Sequence, residues 1–139
     1  MALEVYLIFD GNTREAAEFY ADVFETERPQ FMTYGDAHQD DGDLKLPEEA
    51  KDLIMHTNLH IRGSRLMFSD NFPGTPYTVG NNITIAFIDD DIEFMKAAFE
   101  RLKVGGKVEM ELQETFWSKC YGVVVDKFGI QWQFSHEEK

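Results

Sequence analysis

The 139-residue chain is short of several residue types, and each shortage excludes a class of protein. Its one cysteine, Cys120, excludes an intrachain disulfide. Lys and Arg total 13 against 26 Asp and Glu, and the resulting formal charge of -13 repels nucleic acids and anionic lipid surfaces. No segment approaches the roughly 18 apolar residues of a membrane span, and residues 1–7 show no basic or long apolar leader. We therefore expect a cytoplasmic protein without a nucleic-acid or membrane partner.

Aromatic residues, by contrast, are plentiful. Twelve Phe, five Tyr and two Trp can fill a core or line an aromatic pocket. A chain of this length can bury roughly 70% of its unfolded surface. One domain with a real core is therefore expected.

The first 70 residues predict a strand, a helix and three further strands. Asn12 and Glu15 form a capping-box-like pair before the helix, whose apolar stripe is Ala16, Phe19, Tyr20, Val23 and Phe24. The predicted strands are residues 4–9, 30–34, 53–62 and 65–69. Residues 35–52 are rich in Asp and Glu and predict a solvated loop insertion, with an anionic binding element or a metal site as the alternative. His38 within this segment is expected to be exposed and inert, or else to lie on a flap over a pocket.

The same order of elements recurs after a Gly/Pro/Asn-containing loop. Residues 83–88 predict a strand, Asp89 to Asp91 a cap, and Phe94, Met95, Ala98, Phe99 and Leu102 a helix stripe. Strand 107–113 follows, and then a hairpin of residues 121–134 with a turn at 126–129. Residues 6–10 match 85–89, and 66–69 match 132–135. These patterns predict one α+β domain of two modules, about 1–70 and 82–139.

Several motifs together resemble one family along nearly the whole chain. They are Tyr6-Leu-Ile-Phe-Asp-Gly-Asn12 leading into Ala16-Ala-Glu-Phe-Tyr20, Met55-His56, Glu114-Thr-Phe-Trp117, and Asp126-Lys-Phe-Gly129 with Trp132. The chain resembles the PhnB-like branch of the vicinal oxygen chelate superfamily, which holds glyoxalases, extradiol dioxygenases and bleomycin-resistance proteins. The resemblance implies paired βαβββ modules, a mixed curled sheet with helices on its outer face, and a homodimer.

The resemblance also implies where metal-dependent members hold their ion, on the first and last strands of each module. Those places fall near Val5, Met67, Ile83 and Gln133, whose side chains are poor ligands for zinc or iron. His56 and His60 do not replace them, because four residues of a strand span about 13 Å. No metal or other cofactor is expected.

Alternation in the third strand sets His56, Asn58 and His60 on one face, which is either a ligand cavity or simply the wet face of the sheet. If it is a cavity, His56 or His60 could act as a general base. Gln133 is a candidate for a polar cavity wall. Phe116 and Trp117 would cover or stack on a ligand, or else fill a core or subunit seam.

Other polar and reactive side chains are interpreted as structural. Cys120 is expected to be a small buried residue, because no His lies beside it in the sequence. Arg65 is expected to be an ordinary surface residue rather than an anion site.

Two functions of different class remain open. The first is a metal-independent small-molecule-binding protein with an aromatic and polar pocket. The second is a metal-independent lyase or isomerase in which His56 or His60 transfers a proton. The methyltransferase label common in this branch is not supported, because Asp10-Gly11-Asn12 is the only turn of the kind that a nucleotide cofactor would need.

Overall fold

The computed structural model describes residues 2–37 and 46–138. The chain divides into two compact units, residues 1–77 and 78–139, which are described separately. The segment 38–45, which contains His38 and the middle of the predicted acidic insertion, lies outside the described residues. The flanks of that segment form a helical turn and a 3-10 turn, given below.

The first unit is a four-stranded mixed sheet with a helix on one face. Its strands are β1 (Val5–Phe9), β2 (Met32–Thr33), β3 (Ile54–Ile61) and β4 (Ser64–Asp70). Helix α1 (Thr13–Val23) follows β1, the one-turn helix α2 (Tyr34–Ala37) follows β2, and a 3-10 turn (Glu48–Ala50) precedes β3. The strand order is β1-β4-β3-β2, in which β1 runs parallel to β4 and the other neighbours are antiparallel.

The second unit has the same order and topology. Strands β5 (Ile85–Asp89), β6 (Lys107–Gln113), β7 (Tyr121–Val125) and β8 (Gln131–His136) accompany helix α3 (Ile92–Leu102). The sheet order is β5-β8-β7-β6, again with its first two strands parallel. The predicted α+β fold of paired βαβββ modules is confirmed, with one four-stranded sheet in each module.

Aromatic residues of the predicted stripes form the two cores. In the first unit Tyr20 of α1 stacks on Phe68 of β4, with ring centroids 5.9 Å apart. In the second, Phe99 of α3 meets Phe134 of β8 edge-on at 5.4 Å. All four side chains are buried. Much of the abundant aromatic content therefore serves packing.

The strand registers define the internal repeat. Val5 pairs with Leu66 in the first sheet, and Ile85 pairs with Trp132 in the second. The two predicted matches differ by one residue across these registers. If Leu66 is matched with Trp132, then Val5 and not Tyr6 is the equivalent of Ile85.

The start of α1 is held by a distant residue instead of the predicted cap. Asn12 makes no capping hydrogen bond through its side chain. The buried carboxylate of Asp70, at the end of β4, accepts the Thr13 N–H at 3.0 Å and the Ile54 N–H at 2.8 Å. One carboxylate therefore fixes the beginnings of both α1 and β3.

In the second unit, the start of the helix is capped by a residue next to it in the sequence. Asp91 caps α3 by accepting the Phe94 N–H at 3.0 Å, within the predicted cap segment. His136, which occupies the β8 position equivalent to Asp70, lies with Nε2 3.0 Å from the Asp90 carbonyl oxygen. The ring nitrogen must donate there, because the carbonyl can only accept.

No helix in the described part of the chain is long and apolar enough to cross a membrane.

Candidate functional site

The face of the first sheet that α1 does not cover carries three of the six predicted site residues. Alternation along β3 buries Thr57 and Leu59 on the helix side and turns His56, Asn58 and His60 the other way, as predicted. Across the strands, Met67 is flanked by Tyr6 and Asn58. We call the surface formed by Tyr6, Ile8, His56, Asn58, His60 and Met67 the helix-free face.

Aromatic and polar groups meet in the middle of the helix-free face. The Tyr6 hydroxyl lies 3.5 Å from His56 Nδ1, and the two ring centroids are 6.0 Å apart. Tyr6 is 45% exposed and Ile8 50% exposed, while His56 is half-buried. His56 Nε2 makes no hydrogen bond to any described residue. The face therefore offers rings, an aliphatic side chain and a free imidazole nitrogen together.

A cleft borders one end of this face. It has a volume of about 370 Å³ and is lined by residues 26–30 together with Asn58, Leu59 and His60. The structure thus brings Asn58 and His60 to a common concave surface. His56 does not line this cleft.

Arg65 is not available as an isolated cation. Its guanidinium pairs with the Glu4 carboxylate, and it lies opposite His60 across β3 and β4. The hydrogen bond from Arg65 lowers the pKa of the Glu4 carboxyl, against a smaller opposing effect of burial. The expectation that Arg65 is an ordinary surface residue agrees with this ion pair.

In the second unit, Gln133 joins an aromatic ladder. Its Oε1 accepts a hydrogen bond from the Tyr121 hydroxyl at 2.9 Å. Trp117 meets Tyr121 edge-on at 5.2 Å, and Phe116 meets Trp117 edge-on at 4.7 Å. Three predicted residues are therefore linked through Tyr121, which the sequence placed only within the predicted hairpin of residues 121–134.

Tyr6 was also missed as a site residue, although a usable signal existed. Strict alternation through residues 5–9 sets Tyr6 and Ile8 opposite to the buried Phe9. The same rule applied to β7 sets Tyr121 on the side of Gln133, away from the buried Val124. Period-two alternation in the flanking strands would have found both tyrosines.

The turn of the hairpin of residues 121–134 stabilises the fold. The Asp126 carboxylate is 3% exposed; Oδ1 accepts the N–H groups of Phe128 at 2.9 Å and Ile130 at 3.1 Å. Oδ2 accepts the indole N–H of the buried Trp132 at 2.9 Å. The Asp126 to Trp132 motif is therefore a structural clamp.

Cys120 has a structural role as well. It is 4% exposed, and burial raises the pKa of its thiol, with a smaller lowering by Lys96. Raising the thiol pKa disfavours the thiolate that a nucleophile needs. The expected buried cysteine is confirmed.

Comparison with known proteins places the chain in a family. Residues 2–134 match the Glyoxalase/Bleomycin resistance protein/Dioxygenase superfamily. The chain belongs to this superfamily. It is 32% identical to Protein YjdN of Escherichia coli strain K12, an alignment that covers 97% of this chain and 95% of YjdN.

Solved structures locate the branch within the glyoxalase superfamily. Protein PA1353 of Pseudomonas aeruginosa is 33% identical, with a TM-score of 0.80 over 99% of this chain and all of that one. A Bacillus cereus structure described as a putative 3-demethylubiquinone-9 3-methyltransferase, PhnB protein, is 21% identical, with a TM-score of 0.73 over 99% of this chain and 100% of that chain. The chain is a PhnB-like and YjdN-like member of the superfamily.

The metal places of the glyoxalase superfamily do not hold metal-binding side chains here. Beside the expected places Val5, Met67, Ile83 and Gln133, the strand registers set Tyr6 opposite Met67 and Ala86 opposite Gln133. Ile83 precedes β5 altogether. None of these side chains supplies the imidazole or carboxylate that a catalytic zinc or iron prefers. Among the described residues, no group of three His, Cys, Asp or Glu side chains is arranged to hold an ion.

Proposed function

We propose that this protein is a metal-independent small-molecule-binding protein, of the sequestration kind, whose ligand lies on the helix-free face of the first sheet. The observation that carries the proposal is the contact of Tyr6 with His56 on a half-exposed face that also presents Asn58 and Ile8. Rings and an aliphatic side chain bind apolar parts of a ligand, while one imidazole nitrogen and one amide fix its orientation. We also propose that the protein acts in the cytoplasm.

A homodimer forms part of this proposal. Tyr6 and Ile8 of the helix-free face expose large apolar side chains, as does Met32 at 47%. Such exposure is costly in water unless a ligand or a second copy covers the patch. In the second unit, Gln133, Phe116 and Trp117 are proposed as a further aromatic and polar ligand surface, because the Tyr121 hydroxyl leaves the Gln133 amide N–H groups free to donate.

Thermal-shift screening tests the binding function. Catechols, hydroxybenzoates and quinones are the probes, because they combine a ring with oxygen acceptors and donors. A ligand at a hundredfold over its Kd should stabilise the protein by about 2.7 kcal/mol. Added chelator should leave this shift unchanged, and a divalent ion retained at one per chain in native mass spectrometry would contradict metal independence.

Two variants locate the site. His56→Phe keeps a ring and removes the imidazole nitrogens, and Asn58→Leu removes the amide. Each variant should raise the Kd of a ligand found in the screen by about tenfold, or about 1.4 kcal/mol. The matched control is Gln113→Leu, which removes an exposed amide from β6 of the second unit. Equal weakening by Gln113→Leu would move the site away from the helix-free face.

A lyase or isomerase is the second candidate, favoured by the same Tyr6–His56 contact. A phenol beside Nδ1 leaves Nε2 to take or give a proton on a ligand. His60 at the cleft is the alternative proton carrier. Turnover of a bound probe that is lost in His56→Ala or His60→Ala, with binding retained, would establish the enzyme; binding without turnover in the native protein supports the binder.

Methyl transfer is not proposed. A nucleotide-dependent methyltransferase is expected to have alternating strand and helix units with a glycine-rich first turn. Here the order of elements is βαβββ, and the first strand-to-helix turn is Asp10-Gly11-Asn12.

A further inference from the structure

The loop of residues 114–119 in the second unit, which we call the aromatic loop, holds two rings out in solvent. Phe116 is 97% exposed and Trp117 is 53% exposed. Side chains of this size on a described surface normally mark a binding site when they cluster. The exposure of these two rings therefore indicates that the loop binds a ligand or a partner.

The aromatic loop is a fixed platform rather than a loose tip. The Thr115 N–H donates to the Ser118 carbonyl at 2.9 Å, and the Ser118 N–H donates to Thr115 Oγ1 at 3.1 Å. The buried Ser118 hydroxyl in turn lies 3.0 Å from the Cys120 carbonyl oxygen and 3.1 Å from that of His136. Together with the Trp117–Tyr121 contact, these bonds hold the backbone of the loop and the Trp117 ring in place before any ligand arrives.

An open depression of about 670 Å³ lies beside the rings, lined by the aromatic loop and residues 136–138. Four charged side chains border it: Glu114, Lys119, Glu137 and Glu138. Lys119 pairs with Glu138, and their hydrogen bond lowers the pKa of the Glu138 carboxyl and raises that of the Lys119 ammonium. Glu114 also raises the pKa of the Lys119 ammonium, and Glu137 makes no ion pair with any described residue. Three carboxylates therefore face one ammonium, and the depression carries an excess of negative charge.

Exposed rings and an excess of carboxylates together select one class of ligand. We propose that the aromatic loop binds a small organic cation, an ammonium group that carries an apolar substituent. The ammonium is attracted to the faces of exposed rings and to Glu114 and Glu137, while the apolar part covers Phe116 and Trp117. An anion would be repelled by these carboxylates and by the formal charge of -13.

This inference rests on the part of the proposed function that assigns a ligand surface to Phe116 and Trp117, and it names the class of ligand. It does not depend on the helix-free face of the first sheet. Failure of the cation test would therefore leave ligand binding at the helix-free face standing, and failure of binding there would leave the cation site standing.

Tryptophan fluorescence gives a direct test with benzyltrimethylammonium as the probe. Of the two tryptophans, Trp117 is exposed and reports the site, whereas Trp132 is buried and bonded to Asp126. We expect a saturable change with a Kd of about 1 mM. Benzyl alcohol and phenylacetate, the neutral and anionic counterparts, should give no saturable change at equal concentrations.

Variants then separate the two parts of the site. Glu114→Gln and Glu137→Gln should each raise the Kd about two- to fivefold, as expected for an exposed charge pair. Phe116→Ser should raise it by a similar factor while leaving the Trp117 reporter in place. Glu49→Gln makes the same charge change on the exposed 3-10 turn of the first unit and should leave the Kd unchanged.

Several results would overturn the proposal. One is equal binding of phenylacetate, and another is an unchanged Kd in both glutamate variants. A third is self-association in sedimentation velocity that Phe116→Ser abolishes, without cation binding, which would make a second copy the occupant. Much tighter binding of an Arg-rich peptide at the same loop would replace the small cation with a protein partner.

Discussion

The Asp126 clamp allows the sharpest test of how the second module is held. Asp126 accepts three hydrogen bonds, two from the β7–β8 turn and one from the indole of Trp132. We consider Asp126→Asn, which keeps the size and one acceptor oxygen. If that oxygen serves the two turn N–H groups, the new amide N–H₂ faces the indole N–H, and two donors then confront each other.

The expected cost follows from which donors lose their partner. The Trp132 indole N–H is buried, so leaving it unsatisfied costs about 1–3 kcal/mol. Asp126→Ala also removes the acceptor of the two half-buried turn N–H groups, each worth about 0.5–1.5 kcal/mol, so its total is about 2–6 kcal/mol. Domains are stable by only about 5–15 kcal/mol. The alanine variant should therefore lose much of the stability of the fold.

Urea unfolding followed by far-UV circular dichroism measures these costs, because changes near Trp132 would confound fluorescence. A double-mutant cycle with Trp132→Phe isolates the carboxylate–indole bond, for which we expect a coupling of about 1–3 kcal/mol. The clamp does not stabilise the module as described if the free energy of unfolding of Asp126→Asn lies within about 0.5 kcal/mol of that of the native protein. A coupling energy of zero would contradict it equally.

Three further predictions concern buried groups. Asp70→Asn should cost about 1–3 kcal/mol in urea unfolding, because one end of the amide must face an N–H donor of Thr13 or Ile54; a cost near zero would contradict this. Thr13→Val should raise the free energy of unfolding by about 1 kcal/mol, since Thr13 Oγ1 is buried with no partner among the described residues; a lower melting temperature would refute it. Because burial raises the pKa of the Cys120 thiol, the unfolded chain loses its proton first, and stability should fall as pH rises above about 8.5. Cys120→Ala should lack that fall in melting temperature, and an identical pH profile would contradict the assignment.

The parts of the fold that depend on short-range patterns could be predicted from sequence. The stripe from Ala16 to Val23 lies on α1, with Phe24 as its C-cap, and the stripe from Phe94 to Leu102 lies on α3, because three- and four-residue spacing is a local property. The closing hairpin follows from an alternating run and a four-residue turn. Even here the ends differ: the strand predicted to begin at Ile83 begins at Ile85.

Features that depend on distant pairs could not be found in this way. Asn12 has the right residue type for a cap, but the acceptor comes from Asp70, 57 residues beyond Thr13. The contact between Tyr6 and His56 joins positions 50 residues apart. The sequence pattern also did not give the register of β1 with β4 or of β5 with β8 to within one residue. A one-residue error in register exchanges the two faces of a strand, so the side chains at the expected metal positions could not be assigned to a face.

The contrast between Asp70 and His136 has a consequence for exchanging pieces between the two modules. Asp70 must accept because α1 lacks a cap of its own, whereas His136 can donate because Asp91 already caps α3. A hybrid that carried the last strand of one module beside the first strand and helix of the other would set acceptor against acceptor, or leave a helix start without any acceptor. The strand end and the helix start must therefore be transplanted together, and substitutions at these two places are expected to depend on each other.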